Sequence, residues 1–197
     1  YYYKPRIDYD TLSKHSEGLI ALSACLSGDI PKLLIDGQYE QAKALALRLL
    51  GIMGKDNFFL ELQDHGLPEQ KQVNAYLERM SAETGIPLVV TNDSHYLTRA
   101  DARAQEVLMC IQTGKTMEDP THMKFGSDEF YVKSEEEMRA LFPHLPQAYD
   151  LTEQIAKRCQ YDYEFHNYKL PVFETPGGMD SFAYLKQLCE EGARQRY

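Results

Sequence analysis

The residues of this sequence best suited to chemistry are Asp93 and His95, which follow the short apolar run 88–91. That run is rich in β-branched residues and is predicted to be a buried strand. Side chains two residues apart in an extended segment point to the same side, so the carboxylate and the imidazole are expected to converge. Both groups bind Zn²⁺ or Mn²⁺, which makes the pair a candidate half of a metal site. Alternatively, Asp93 caps the next helix and His95 is a surface residue.

The elements that would position this pair alternate along the chain. Strands are predicted at 18–23, 57–62 and 88–91. Helices are predicted between and after the strands, at 30–36, 38–53, 68–84, 101–112, 135–142 and 146–158. Strands that alternate with helices at short spacing form parallel sheets through right-handed crossovers. The pattern therefore predicts an α/β fold, either part of an α/β barrel or an open doubly wound sheet.

The domain organisation changes near residue 160. We predict one domain over 1–160, a linker over 161–179 that has no clear period, and a last amphipathic helix in 180–197 that begins the following domain. Because the chain starts with Tyr1 rather than Met, it is interpreted as a piece of a longer protein. In that case the strand near 18–23 is expected to form an exposed edge of the sheet.

Composition limits the possible functions. The net charge is −9, from 21 basic and 30 acidic residues, so the chain lacks the basic footprint of a nucleic-acid-binding domain. It has neither a long apolar run that would span a membrane nor an apolar signal at its start. Its four scattered cysteines are expected to be free thiols, which fits a cytoplasmic protein without membrane contact.

Several segments, taken together, resemble a known family. They are GLIALSACLSG at 18–28, FFLELQDHGLPEQ at 58–70, IPLVVTNDSHYL at 86–97, IQTGKT at 111–116 and SDEFYVK at 127–133. Their order and spacing are similar to the alpha subunits of bacterial DNA polymerase III. The resemblance is to the second half of the polymerase-and-histidinol-phosphatase (PHP) domain and the start of the polymerase core, and it covers essentially the whole chain.

The resemblance implies a specific fold and site. It implies a partial PHP-type (β/α)7 barrel followed by a mostly helical segment, with a cluster of divalent metal ions, Zn or Mn, at the strand ends. Asp93 and His95 match the last ligand pair of that cluster, and Cys25 matches a further ligand position. His65 is expected at the rim of the same pocket or in support of the ligands, and Glu61 is expected to be structural. The remaining ligands would lie before Tyr1, so the cluster is incomplete here.

The resemblance also implies a function for the parent protein. That protein would be a DNA-directed DNA polymerase whose Mg²⁺ site lies outside this chain, and the chain alone is expected to be inactive, with no catalytic residue. Its partners would be DNA, deoxynucleoside triphosphates and replisome subunits, among them a proofreading exonuclease. Two alternatives are a stand-alone PHP-type metal-dependent phosphoesterase and a non-catalytic docking module of the replisome. The long stretch after residue 100 argues against the phosphoesterase.

Overall fold

A small parallel sheet lies at the centre of the fold in the computed structural model, which describes residues 3–197. Its strands are β1 (Ala21–Leu22), β2 (Phe58–Leu62) and β3 (Leu88–Val90), and they lie side by side in that order. Ala21 is opposite Phe58, and Leu60 is opposite Leu88. The predicted α/β class and the parallel strand direction are confirmed.

Residues 3–197 also form eight α-helices. They are α1 (Tyr9–Lys14), α2 (Asp29–Ile35), α3 (Tyr39–Met53), α4 (Pro68–Thr84), α5 (Ala102–Thr113), α6 (Glu135–Leu141), α7 (Pro146–Arg158) and α8 (Ser181–Arg196). Short 3₁₀ turns occupy Arg99–Asp101 and Pro176–Gly178. Among the described helices, none has both the length and the apolar character that crossing a bilayer requires.

Local sequence signals determine where several helices begin and end. Pro68 occupies the first turn of α4, and Gly85 ends that helix in the left-handed conformation at φ +74°. The predicted capping box of α6 is present: Ser134 Oγ accepts from the N–H of Glu137, and the Glu137 carboxylate accepts from the N–H of Ser134 at 2.8 Å. These bonds satisfy backbone groups that a helix end leaves without partners.

The hydrophobic core is built around β2. Phe58, Leu60 and Leu62 are fully buried. Helices α2, α3 and α4 contribute apolar side chains to one continuous cluster with the strand. Helix α7 packs on β3, where the hydroxyl of Thr152 donates to the carbonyl oxygen of Val90 at 3.3 Å. Because β2 is covered by helices, its sequence is apolar at almost every position, as expected for a parallel strand.

Two strands are shorter than predicted. The strand predicted at 18–23 pairs only through β1, and Gly18, three residues before it, has a left-handed backbone at φ +75°. Within residues 3–197, β1 pairs with β2 alone, so its other edge is open. The strand predicted at 88–91 ends at Val90.

Within the described part of the chain, residues 3–159 form one compact unit and residues 160–197 form a second. Helix α8 is capped by Asp180, whose carboxylate accepts from the N–H groups of Phe182 and Ala183 at 3.1 and 3.0 Å. The assignment of 161–179 as a linker and of 180–197 to a following domain stays a prediction.

Candidate functional site

The carboxyl ends of the three strands are held together by Glu61 on β2. Its carboxylate accepts from the backbone N–H of Ala24 at 3.0 Å, from the hydroxyl of Thr91 at 2.5 Å and from the amide of Gln63 at 3.0 Å. The N–H of Glu61 donates to the hydroxyl of Ser23 at 2.8 Å. Ser23 and Ala24 follow β1, and Thr91 follows β3. Glu61 therefore ties all three strand ends together, which is a structural role.

Cys25 lies in the turn between β1 and α2. The residue before it, Ala24, adopts a left-handed backbone at φ +67°, which turns the chain away from the sheet. The thiol is half-buried and borders a small cleft together with Glu61 and Gln63. This cleft extends toward α4, on which Asn74 also borders it.

Asp93 does not continue the extended geometry on which its pairing with His95 was predicted. Its backbone lies in the left-handed region at φ +46°, three residues after β3 ends. The rule that side chains two apart share a side holds only for extended backbone, so it does not apply across this residue. The capping alternative is also wrong, because Thr98 and Asp101 form the capping box of the next helical turn.

His95 is held in a defined orientation. Its Nδ1–H donates to the carbonyl oxygen of Asp93 at 2.6 Å, because a carbonyl can only accept. The exposed ring packs against Phe125 with centroids 4.6 Å apart, and it meets Phe130 edge-on with centroids 5.9 Å apart. Nε2 then carries the free lone pair. A bond from Nδ1–H to a carbonyl is the arrangement typical of histidines that bind metal through Nε2.

The structure corrects the prediction that His65 lies at the rim of the pocket. The ring is fully buried and stacks on Phe130 at 3.9 Å. Its Nε2–H donates to the carbonyl oxygen of Asn92 at 2.6 Å, and its Nδ1 accepts from the amide of Gln70 at 2.7 Å. Both nitrogens are therefore used inside the core. Burial is the main cause that lowers the pKa of His65, partly offset by the bond to Asn92.

A group of residues that the sequence did not single out holds the segment around Asp93. The segment that contains Tyr131 runs parallel to the one that contains Tyr96, and the N–H of His95 donates to the carbonyl of Phe130 at 2.7 Å. The buried amide of Asn92 donates to the carbonyl of Tyr131 at 2.6 Å and accepts from the ammonium of Lys133 at 3.2 Å. The similarity of 127–133 to a family motif was the only sequence signal for this contact.

The predicted ligands do not form a metal site by themselves. Asp93 and His95 belong to one loop, whereas Cys25 borders the cleft next to Glu61. Across residues 3–197, no three His, Cys, Asp or Glu side chains are grouped so that they could hold an ion. The donor types suit Zn²⁺ or Mn²⁺, and the orientation of His95 suits a ligand, but the set is incomplete within the described part of the chain.

A protein-family model matches the first part of the chain. Residues 1–65 match the family model of the PHP domain, and the parallel sheet with polar strand ends is consistent with part of a PHP barrel. The match ends before Asp93 and His95, so their assignment as metal ligands stays a prediction.

The whole chain is also similar to individual curated proteins. The chain is 44% identical over 197 residues to the DNA polymerase III subunit alpha of Treponema pallidum, with 100% of this chain and 17% of that protein covered. It is 43% identical over 203 residues to the Thermus aquaticus subunit, with the same coverage. The Mycobacterium tuberculosis H37Rv subunit is 39% identical over 98% of this chain and 16% of its own length. Over its whole length the chain is therefore similar to these subunits, and it spans about a sixth of the length of these curated relatives.

Proposed function

We propose that this chain is part of a bacterial replicative DNA polymerase and contributes a portion of its PHP domain. The observation that carries the proposal is similarity over the whole chain to proteins named DNA polymerase III subunit alpha. This similarity extends through residues 66–197, well beyond the PHP match at 1–65. It favours a polymerase over a stand-alone PHP phosphoesterase, because the region outside the PHP match also resembles the polymerase subunits.

In this proposal the parent protein extends a primer with deoxynucleoside triphosphates on a DNA template in the cytoplasm. Its nucleotidyl-transfer site, with Mg²⁺, lies outside this chain. The acidic charge of −9 is consistent with that arrangement, because a segment without a basic surface does not provide the main grip on DNA. The partners would include other replisome subunits, among them a proofreading exonuclease.

The proposed contribution of the PHP portion is a divalent metal site completed by residues of the parent protein. Asp93 and His95 would supply half of it, and Cys25 would supply a further ligand. Support comes from the Nδ1 bond of His95, which leaves Nε2 free. Zn²⁺ or Mn²⁺ bound there would supply Lewis-acid chemistry toward a phosphoester or a structural cross-link. The residues described here do not complete such a site.

The first experiment is primer extension by the purified full-length parent protein with Mg²⁺. Incorporation of templated nucleotides is expected, and its absence in a folded protein would refute the polymerase proposal. Metal content is measured separately, by elemental mass spectrometry after exhaustive dialysis. Asp93→Asn and His95→Gln are each expected to reduce bound Zn or Mn by about tenfold or more, whereas Lys71→Gln on α4 should leave it unchanged. Equal metal content in all four proteins would refute the ligand assignment but leave the polymerase proposal intact.

A further inference from the structure

A second cleft opens beside His95, between α5 and the loop that follows it. Its volume is about 370 Å³, which is within the range of small-molecule binding sites. Ala102 and Glu106 line it from α5, and Met117 and Phe125 line it from the loop. Phe125 also packs against the ring of His95, so the cleft borders the candidate half-site but shares none of the predicted ligands.

The acidic side chains of this cleft are already paired. Glu106 accepts from Nε2–H of His122 at 2.5 Å, and Nδ1–H of the same ring donates to the carbonyl of Asp119 at 2.6 Å. The bond to Glu106 is the main cause that raises the pKa of His122. Asp128, on the other wall, forms an ion pair with Arg99 at 3.3 Å. Each carboxylate therefore has a basic partner, and Arg99 is shared between Asp128 and Glu129, which lies 2.6 Å from it.

Two cations of the cleft have no such partner. Arg103 and Lys124 both line it, and within residues 3–197 neither side chain takes part in an ion pair. Within the described part of the chain, the cleft therefore carries two cations that no ion pair neutralises. These cations are notable because the chain as a whole has a net charge of −9. Both groups would attract an anion that enters the cleft.

The rest of the wall is aromatic and apolar. The rings of Tyr96 and Phe125 lie on the side next to His95, and the thioethers of Met109 and Met117 lie nearby on the wall. Aromatic rings provide stacking surfaces for nucleobases regardless of base identity. Methionine side chains adapt to ligands of irregular shape. The cleft therefore combines two cations that attract anions with aromatic side chains that suit a flat heterocycle.

We propose that this cleft binds a nucleoside monophosphate, with its phosphate held by Arg103 and Lys124 and its base against Tyr96 and Phe125. Arg and phosphate form charge-assisted, often bidentate hydrogen bonds, and Lys contributes a point charge. The volume accommodates one nucleotide rather than a longer strand. This site is independent of the predicted metal ligands and stands whether or not the parent protein polymerises DNA.

The test is hydrogen–deuterium exchange of the full-length parent protein, followed by mass spectrometry of peptides that cover residues 102–128. Deoxyadenosine monophosphate is the probe, and EDTA is present so that Mg²⁺-dependent nucleotide sites elsewhere stay empty. Addition of the probe is expected to slow exchange in these peptides in a saturable manner. Inorganic phosphate should compete with it, and higher NaCl should weaken it.

Matched variants distinguish the effect of charges that line the cleft from the effect of the net charge of the protein. Arg103→Glu with Lys124→Glu should weaken the protection by about tenfold or more, which corresponds to the loss of charge-assisted bonds. Lys32→Glu with Lys71→Glu, on exposed positions of α2 and α4, makes the same change in net charge and should leave binding within about twofold. Arg103→Lys with Lys124→Arg keeps both charges and should retain binding, which distinguishes lost contacts from misfolding.

Three results would overturn the proposal. The first is equal protection by uncharged deoxyadenosine, which would mean that the phosphate is not recognised. The second is unchanged protection in the Arg103→Glu, Lys124→Glu protein. The third is protection of 102–128 by a single-stranded oligonucleotide but not by the mononucleotide, which would assign the cleft to a DNA strand.

Discussion

The buried histidine His65 gives the sharpest test of the packing described above. Replacing it with leucine introduces an apolar side chain of comparable size and removes both ring nitrogens. The carbonyl of Asn92 and the amide of Gln70 then lose their partners inside the core. An unsatisfied buried polar group costs about 1–3 kcal/mol, so we expect a loss of about 2–6 kcal/mol in the free energy of unfolding at pH 8.

This loss is expected to depend on pH. Burial lowers the folded-state pKa of His65 below the ordinary value of 6.5, so the unfolded chain binds a proton before the folded chain does. Protonation therefore destabilises the wild-type fold as the pH falls below about 6.5, with a slope of at most about 1.4 kcal/mol per pH unit for one proton. The slope ends once the folded-state pKa is passed. His65→Leu has no such proton, so the stability gap between the two proteins should narrow toward acid pH.

The assay is urea unfolding of both proteins at several pH values from 5 to 8, followed by circular dichroism. The effect of His122, whose pKa is shifted in the opposite direction, is present in both proteins and cancels in the difference. His15→Gln, at an exposed position after α1, is the control and should change stability by no more than about 0.5 kcal/mol. A gap that stays constant from pH 8 to pH 5 would refute the argument from burial, and a gap below about 1 kcal/mol at pH 8 would refute the argument from unsatisfied bonds.

Three further predictions concern the core, a helix cap and an ion pair. Leu60→Ala, in the fully buried centre of β2, should lower the free energy of unfolding in urea by about 2–5 kcal/mol. Leu47→Ala, on the outer face of α3, should lower it by less than about 1 kcal/mol. Equal losses would contradict the placement of β2. Ser134→Ala should lower the free energy of unfolding by about 1 kcal/mol, and Ser134→Gly should lower it by only a few tenths of that. No loss for the alanine variant in the same assay would show that the capping box does not stabilise α6. Glu106→Gln should lower the pKa of His122, measured by NMR titration of the ring, and an unchanged pKa would show that the bond to Glu106 is absent in solution. Because the bond raises the pKa of His122, the stability it contributes to the wild type is present below pH 6.5 and is lost as the pH rises through the raised pKa.

The sequence predicted those structural elements that neighbouring residues determine. Helix α4 begins at Pro68 and ends before Gly85 as expected, because a proline fits the first turn and a glycine adopts positive φ without strain. The capping box at Ser134 was also predictable, since its two partners are three residues apart. Parallel strand order followed from the alternation of strands and helices. Each of these inferences requires only neighbouring residues or the order of elements.

The candidate site depends on contacts that local patterns do not encode. Asn92 and Lys133 are 41 residues apart along the chain and meet only in the folded structure. The burial of His65 likewise depends on Phe130, which comes from a distant segment. The alternation argument for Asp93 failed because it assumes extended backbone, and no sequence rule revealed that the strand ends at Val90. The approximate location of the site was therefore predictable, but its side-chain geometry was not.

Backbone strain is found at the same two strand ends as the predicted ligands. Ala24, directly before Cys25, and Asp93 both have positive φ, at +67° and +46°. For residues with a side chain this conformation costs about 1–2 kcal/mol, and it persists only where surrounding contacts enforce it. Those contacts are present at both positions. The carboxylate of Glu61 binds the N–H of Ala24, and His65 binds the carbonyl of Asn92, next to Asp93.

This arrangement explains why the polar side chains of Glu61 and His65 lie beneath the loops at the strand ends. Without Glu61 and His65, we expect the backbone of Ala24 and Asp93 to move to negative φ. The side chains of the three predicted ligands would then change orientation. The two polar residues stabilise particular loop conformations at the strand ends in addition to stabilising the core. In an α/β fold, residues at this end of the sheet are the ones placed to bind ligands. The strain, the network of bonds that maintains it and the predicted ligands therefore all indicate the same edge of the sheet.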